Sequence, residues 1–213
     1  PKENPQVFET VTWSPEAVQV QCPSGDCPEG VGLVTFVQRL ADRSKIGRCT
    51  ASLVSPSAIL TNAHCLKLLE YYDEAYFFVR HNGQMVFRPL VNVNAVGESP
   101  SQSLGRDFAL LALGEPILDL RPLTLAREIP EQLPTVVAFV INGVEADSSR
   151  LKYTLDKKTC ETESHVGLLK LGYKDRGVAL GLFGCSVVKG NSGSPVFAPG
   201  NFTRIELLVT STY

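Results

Sequence analysis

An all-β protein of two tandem antiparallel barrels, each of the six-stranded type, facing each other across a cleft, is what the sequence predicts, on three observations. Short stretches rich in Val, Ile, Leu, Phe and Thr recur along the chain, separated by Gly, Pro, Asn and Ser, a spacing that suits barrels or sandwiches rather than βαβ units. They fall into two sets on either side of a proline-rich stretch of weak periodicity, 114–134. The chain has 213 residues, 44% hydrophobic and 20% charged, which suffices for a sizeable core and excludes a disordered or collagen-like polypeptide.

Taken in order, residues 1–28 stand apart as a polar, proline-bearing extension closed by the local loop Cys22-Pro23-Ser24-Gly25-Asp26-Cys27. The first barrel occupies 29–115, with strands predicted at 31–37, 48–54, 58–62, 75–80, 85–96 and 108–113. Within it, 65–72 is the one brief stretch that reads as helix. Residues 116–134 connect the barrels, and the second barrel occupies 135–213, with strands predicted at 136–142, 150–155, 166–173, 178–183, 194–197 and 205–213. No internal repeat is evident, although two barrels can share a topology without one.

Charge and hydropathy exclude whole classes of partner. Twenty Lys and Arg against 22 Asp and Glu leave a net charge of −2, so no basic field argues for nucleic acid, and short clusters such as Lys157-Lys158 read as solvated surface. No apolar run approaches the roughly 18–20 residues of a membrane span; the best, 178–188, is short and interrupted by glycine. The opening Pro1-Lys2-Glu3-Asn4 has neither an initiator Met nor the layout of a signal peptide, so a processed form is expected. The cysteines, Cys22, Cys27, Cys49, Cys65, Cys160 and Cys185, are even in number and lack the paired C-x-x-C clusters of a structural zinc site. They predict an oxidising compartment, secreted or periplasmic, and three disulfides rather than free buried thiols, with no metal.

Three local sequences carry chemistry. Leu60-Thr61-Asn62-Ala63-His64-Cys65 delivers a histidine at the end of an apolar strand, beside a cysteine able to staple it to the preceding strand. Gly105-Arg106-Asp107-Phe108-Ala109-Leu110-Leu111 places an aspartate at the mouth of another, and Gly190-Asn191-Ser192-Gly193-Ser194-Pro195 sets a serine in a glycine-flanked turn. Each has an ordinary explanation: a histidine near apolar residues is usually structural, an aspartate before a strand caps a turn, and Gly-x-Ser-Gly is common in loops. Together, in the order His, Asp, Ser, they are far more specific. A serine hydroxyl is a weak nucleophile unless a base lies within hydrogen-bond reach, and an imidazole, with an ordinary pKa of about 6.5, is a suitable one.

On the signatures Thr-x-Ala-His-Cys, Asp-x-Ala-Leu-Leu and Gly-x-Ser-Gly-x-Pro, the chain resembles the trypsin/chymotrypsin-fold serine proteases from about residue 30 onward. The resemblance implies a secreted serine endopeptidase that cleaves protein or peptide substrates through an acyl-enzyme in the cleft, needs no cofactor and can meet a protein inhibitor. It implies Ser192 as nucleophile, His64 as base and Asp107 as the group that orients the imidazole. It places the oxyanion hole at the N–H groups of Gly190 and Ser192, gives Gly193 the task of relieving crowding beside the nucleophile, puts Ser186 at the floor of the substrate pocket, and sets Thr210 where a family serine supports the aspartate. His81 and His165, in His-Asn-Gly and Glu-Ser-His-Val, have no comparable surroundings and read as solvated. A protease-fold binding or regulatory protein is the alternative from another class.

The departures from that pattern are informative. In vertebrate trypsins an aspartate before the nucleophile binds a newly exposed N-terminal ammonium; here that position is Asn191, and Pro1 is not an inserting apolar terminus, so such a switch is not expected. Gly-Asn-Ser-Gly-Ser-Pro is similar to the bacterial glutamyl-endopeptidase branch, yet Val187 and Val209 stand near its threonine and histidine. Cys185 does not fall at the trypsin cysteine position, which loosens the loop register around Ser186. Ser186 carries no charge for Arg or Lys, which favours a chymotrypsin-like or small apolar preference. By resemblance, a segment with the pocket's far wall, a last strand and a helix would follow Tyr213. Cys49–Cys65 is the favoured disulfide because it pins the histidine loop, with Cys22–Cys27 and Cys160–Cys185 for the rest, or separate buried thiols at the last two. Asn201-Phe202-Thr203 has the form of a glycosylation acceptor.

Overall fold

In a computed structural model the chain is described over residues 13–41, 44–97, 106–127, 133–147, 150–163, 181–188 and 190–209. A short strand, β1 (Val18–Gln21), precedes a closed barrel made by β2 (Val31–Arg39), β3 (Ser44–Ser55), β4 (Ala58–Thr61), β5 (Glu74–His81), β6 (Gln84–Val96) and β7 (Ala109–Leu113), which hydrogen-bond in the order β2-β3-β4-β7-β6-β5. Tight connections make this antiparallel order possible. Asn82 and Gly83, both at positive φ (50° and 77°), form the two-residue turn between β5 and β6, a conformation that Asn-Gly supplies with little strain.

The second unit contains β8 (Thr124–Leu125), β9 (Thr135–Asp147), β10 (Arg150–Glu163), β11 (Gly181–Phe183), β12 (Pro195–Phe197) and β13 (Arg204–Leu208). Its strands run β1-β10-β9-β12-β13-β8, with β11 paired to β10, and curl into a half-barrel among the described residues. The two-barrel, all-β architecture is thus present.

Burial explains why some strands read as continuous apolar runs. Residues 31–37 of β2 are buried without alternation because both faces are covered: Val34 and Phe36 point into the first barrel's core, while Leu33 and Val37 join a cluster with Phe139, Ile141, Tyr153 and Phe197 of the second unit. The same division occurs in β9, where Val137, Phe139 and Ile141 face that shared cluster and Val136, Ala138 and Val140 face a separate one with Val196 and Val209. One apolar core therefore runs between the two units.

The N-terminal segment contributes to that core. Trp13 is buried and its ring meets Tyr76 and Phe78 of β5 at centroid distances of 6.0 and 6.1 Å, while β1 pairs in parallel with β10. Lys157 forms an ion pair with Asp26 in the Cys22–Cys27 loop, and its ammonium lies 4.9 Å from the centre of the Phe202 ring, so it is partnered rather than simply solvated. The Lys157 hydrogen bond holds the Asp26 carboxyl below the usual carboxylate range. Residues between the barrels are also tied down: Ile117, Leu120 and Leu123 are buried, and β8 pairs in parallel with β13.

Several predicted bounds shift for identifiable reasons. β9 and β10 extend well beyond 142 and 155 because they form one long hairpin: residues 143–147 of β9 pair with 150–153 of β10, and residues 156–161 of β10, which open with the polar Asp156-Lys157-Lys158-Thr159 and carry no apolar signal, pair with 135–140 of β9. The helical stretch is a 3₁₀ helix, Ala63–Tyr71, and the last strand spans Arg204–Leu208. The strand predicted at 166–173 and His165 lie outside the described residues, as does Thr210. His81 is a correction: its side chain is only 16% exposed, with Nδ1 lying 3.4 Å from Glu29, because the hairpin folds it onto the segment preceding β2.

The disulfides are Cys22–Cys27, Cys49–Cys65 and Cys160–Cys185. Cys49–Cys65 joins β3 to the 3₁₀ helix across a separation of 16 residues. Replacing both cysteines by alanine is expected to lower unfolding free energy by about 3 kcal/mol, the chain-entropy value for a loop of this size, as measured by urea denaturation.

Candidate active site

Each of the three nominated side chains stands at the end of an element that fixes its backbone. His64 is the second residue of the 3₁₀ helix that follows β4, with Asn62 as the extended residue before it. The next residue, Cys65, is wholly buried and bonded to Cys49 of β3, which anchors the histidine's backbone to the barrel wall. Asp107 precedes β7 by two residues, and β7 is hydrogen-bonded to β4, so the two loops emerge side by side. Asn62 joins them directly, its Nδ2 donating to the main-chain carbonyl of Asp107 at 2.6 Å.

Asp107 then meets His64 twice. Its Oδ1 accepts the backbone N–H of His64 at 2.9 Å, and its Oδ2 lies 2.7 Å from His64 Nδ1. The other ring nitrogen, Nε2, is 2.8 Å from Ser192 Oγ. With a carboxylate facing Nδ1, that nitrogen carries the proton and Nε2 is left as the acceptor for the serine hydroxyl. The Asp107 side chain is 0% exposed and that of His64 21%, so the chain of contacts runs from the interior to an accessible imidazole edge.

The turn that carries Ser192 is held from both sides. Thr50 of β3 donates its N–H to the Ser192 carbonyl at 2.8 Å and its hydroxyl to the Gly190 carbonyl at 3.2 Å. The same hydroxyl receives the N–H of Ile141 at 3.4 Å, so one buried threonine ties the turn to both units. Within and beyond the turn, Asn191 N–H donates to Val188 O, Ser194 N–H to Asn191 O and Gly193 N–H to Val209 O, at 3.0, 3.1 and 3.0 Å. Among the described residues this leaves the N–H groups of Gly190 and Ser192 without a protein acceptor.

Glycine is required at two of these positions. Gly190 has φ +91°, and a Cβ there would lie 2.7 Å from Nε of Arg48, whose guanidinium packs over the Tyr153 ring. Gly193 has φ +83° and no room on its barrel-facing side.

The arrangement can perform one kind of chemistry with its own groups. A hydroxyl on an imidazole that is itself held by a buried carboxylate can give up its proton as it bonds an electrophilic carbon. Ser186 is exposed. Sequence reasoning missed Thr50, Asn62 and Asn142, whose Oδ1 accepts from Asn191 Nδ2 at 3.2 Å. Asn62 lies inside the quoted histidine motif, whereas Thr50 and Asn142 carry no local signal.

The family model described as Trypsin matches residues 31–209, a span that includes His64, Asp107 and Ser192. No curated protein matches the chain.

Proposed function

The chain belongs to the trypsin family, the trypsin-like serine proteases, and from that premise we propose that it is a secreted endopeptidase in which His64, Asp107 and Ser192 form the catalytic triad. The observation that carries this reading is the unbroken contact from Asp107 through His64 to Ser192, built from three segments far apart in sequence. Three disulfides suit an extracellular protein, and no described helix is long and apolar enough to cross a membrane.

In the proposed reaction, Ser192 Oγ bonds to the carbonyl carbon of a peptide while its proton passes to His64 Nε2. The carbonyl oxygen takes up the electron pair, and the N–H groups of Gly190 and Ser192 stabilise it; removal of one such donor typically costs about 10²–10³ in rate. The imidazolium, steadied by Asp107, returns the proton to the leaving amine as the C–N bond breaks. Water then enters and bonds to the acyl carbon as it gives a proton to His64, and the imidazolium returns that proton to Ser192 Oγ as the acyl C–O bond breaks, freeing the acid and the serine. Asp107 fixes the tautomer and stays a carboxylate throughout. If Ser186 forms the pocket floor that the resemblance implies, its lack of charge would favour apolar over basic side chains at the cleaved bond.

A fluorophosphonate probe tests the reading. Wild type is expected to be labelled on Ser192 and to lose labelling when first treated with a peptide aldehyde, while Ser192→Ala stays unlabelled. A folded wild type that takes no label, or a variant that takes it equally, would overturn the assignment.

A further inference from the structure

Asn191 is wholly buried next to the nucleophile, yet none of the steps above uses its side chain. Its contacts have fixed polarity. Oδ1 accepts the Val188 N–H at 2.8 Å, and Nδ2 donates to the Ile141 carbonyl at 2.8 Å and to Asn142 Oδ1 at 3.2 Å. Both Nδ2 hydrogens are therefore committed to acceptors.

Asn142 cannot reverse its end of this contact. Its own Nδ2 donates to Asp156 Oδ2 at 2.6 Å, and a carboxylate can only accept, so the Asn142 oxygen is the end left for Asn191. Asn142 pairs with Thr154 across the β9–β10 hairpin, two residues from Asp156, which places Asn142 and Asp156 as diagonal neighbours on one face. Polarity thus propagates from Asp156 on β10, through Asn142 on β9, to Asn191 in the turn.

The turn is also closed on itself at this point. Val188 donates to the Asn191 side chain and accepts from the Asn191 backbone N–H at 3.0 Å, a double link that spans the intervening segment containing Gly190. Fixing Val188 and Asn191 to β9 therefore fixes the backbone that carries the Gly190 and Ser192 N–H groups.

From this we infer that Asn191 is a positioning residue: an uncharged amide clamp, polarised by the Asn142–Asp156 relay, that sets the oxyanion-binding amides and accepts a carboxamide but not a carboxylate. The inference deepens the serine-protease reading and rests on it for its catalytic half. Asp156 faces the clamp through Asn142, Arg48 of β3 packs against Gly190, and His64 lies beyond Ser192.

Asn191→Asp, nearly the same shape, tests it. At pH 8 the variant is expected to lose about 100-fold or more in kcat with KM changed less than about threefold, because an anion at 191 opposes two acceptors and releases the turn. The ratio of variant to wild-type kcat should climb as pH falls toward 5, since a protonated carboxyl regains a donor for the Ile141 carbonyl. Adding Asp156→Asn should recover at least about tenfold of the loss, because Asn142 can then turn its Nδ2 toward residue 191. Unfolding curves on a Ser192→Ala background read the same clamp without hydrolysis. The deficit caused by Asn191→Asp should be small at pH 4 and grow as pH rises, the sign for a carboxyl whose folded pKa exceeds its unfolded one. An unchanged kcat, a pH-independent loss, no recovery in the double variant or a flat stability deficit would each overturn the inference. Wild type that hydrolyses nothing would overturn the catalytic reading instead, and the unfolding curves would still judge the clamp.

Discussion

Asp107→Asn is expected to lower kcat on a peptide substrate about 10⁴-fold, the loss known for this exchange in serine proteases of this fold, while the protein stays folded. The geometry explains why no orientation of the amide rescues function. Asp107 presents one oxygen to the His64 backbone N–H at 2.9 Å and the other to the ring Nδ1 at 2.7 Å. If the amide oxygen stays on the backbone N–H, the NH₂ faces Nδ1, which must become an acceptor; the ring proton moves to Nε2, and Ser192 loses its base. In the opposite orientation the NH₂ meets the backbone N–H, leaving two buried donors opposed. Steady-state kinetics alongside a thermal melt check this. A variant within tenfold of wild type would sink the role given to Asp107.

Gly193→Ala is the second large effect, and it falls on stability first. A Cβ at this position would lie 2.1 Å from the Thr50 carbonyl oxygen and 2.3 Å from Thr61 Oγ1, on a backbone at φ +83°. Neither neighbour yields easily, since the Thr61 hydroxyl donates to that same Thr50 carbonyl at 2.8 Å and both residues belong to barrel strands. Relief requires the turn to part from β3, which breaks the bond from Thr50 N–H to Ser192. A loss of about 4 kcal/mol or more is expected, with activity lost in whatever remains folded. Gly200→Ala is the control: it shares a positive φ of 79° but has nothing within 4 Å, so only the backbone cost of about 1–2 kcal/mol should show in urea unfolding.

What the residues disclose on their own follows from how local each signal is. β2 was legible because burial on both faces demands an unbroken apolar run, and the Asn82-Gly83 turn because its dihedral angles select those residue types. His64, Asp107 and Ser192 were legible because each sits in a short motif whose residues have local tasks. Thr50 and Asn142 were not: a buried threonine or asparagine on a strand looks like any other until the partner from a distant strand arrives. The far part of β10 was hidden for the opposite reason, since Asp156-Lys157-Lys158-Thr159 is polar in sequence and only its pairing with 137–140 of β9 reveals it as strand. Trp13 and β1 appeared as part of a detached extension because nothing near them in sequence reveals that their apolar surface completes a core elsewhere.

The apolar layer shared between the two units has a mechanical meaning. His64 is attached to one side of it and Ser192 to the other, so the 2.8 Å between them is measured across packed Leu33, Phe139 and Phe197 rather than across a joint. Prying the halves apart would wet the side chains that hold each of them together. Moving the backbones of base and nucleophile apart by separating the units therefore means opening that packed layer, and heat should do so when it melts the molecule.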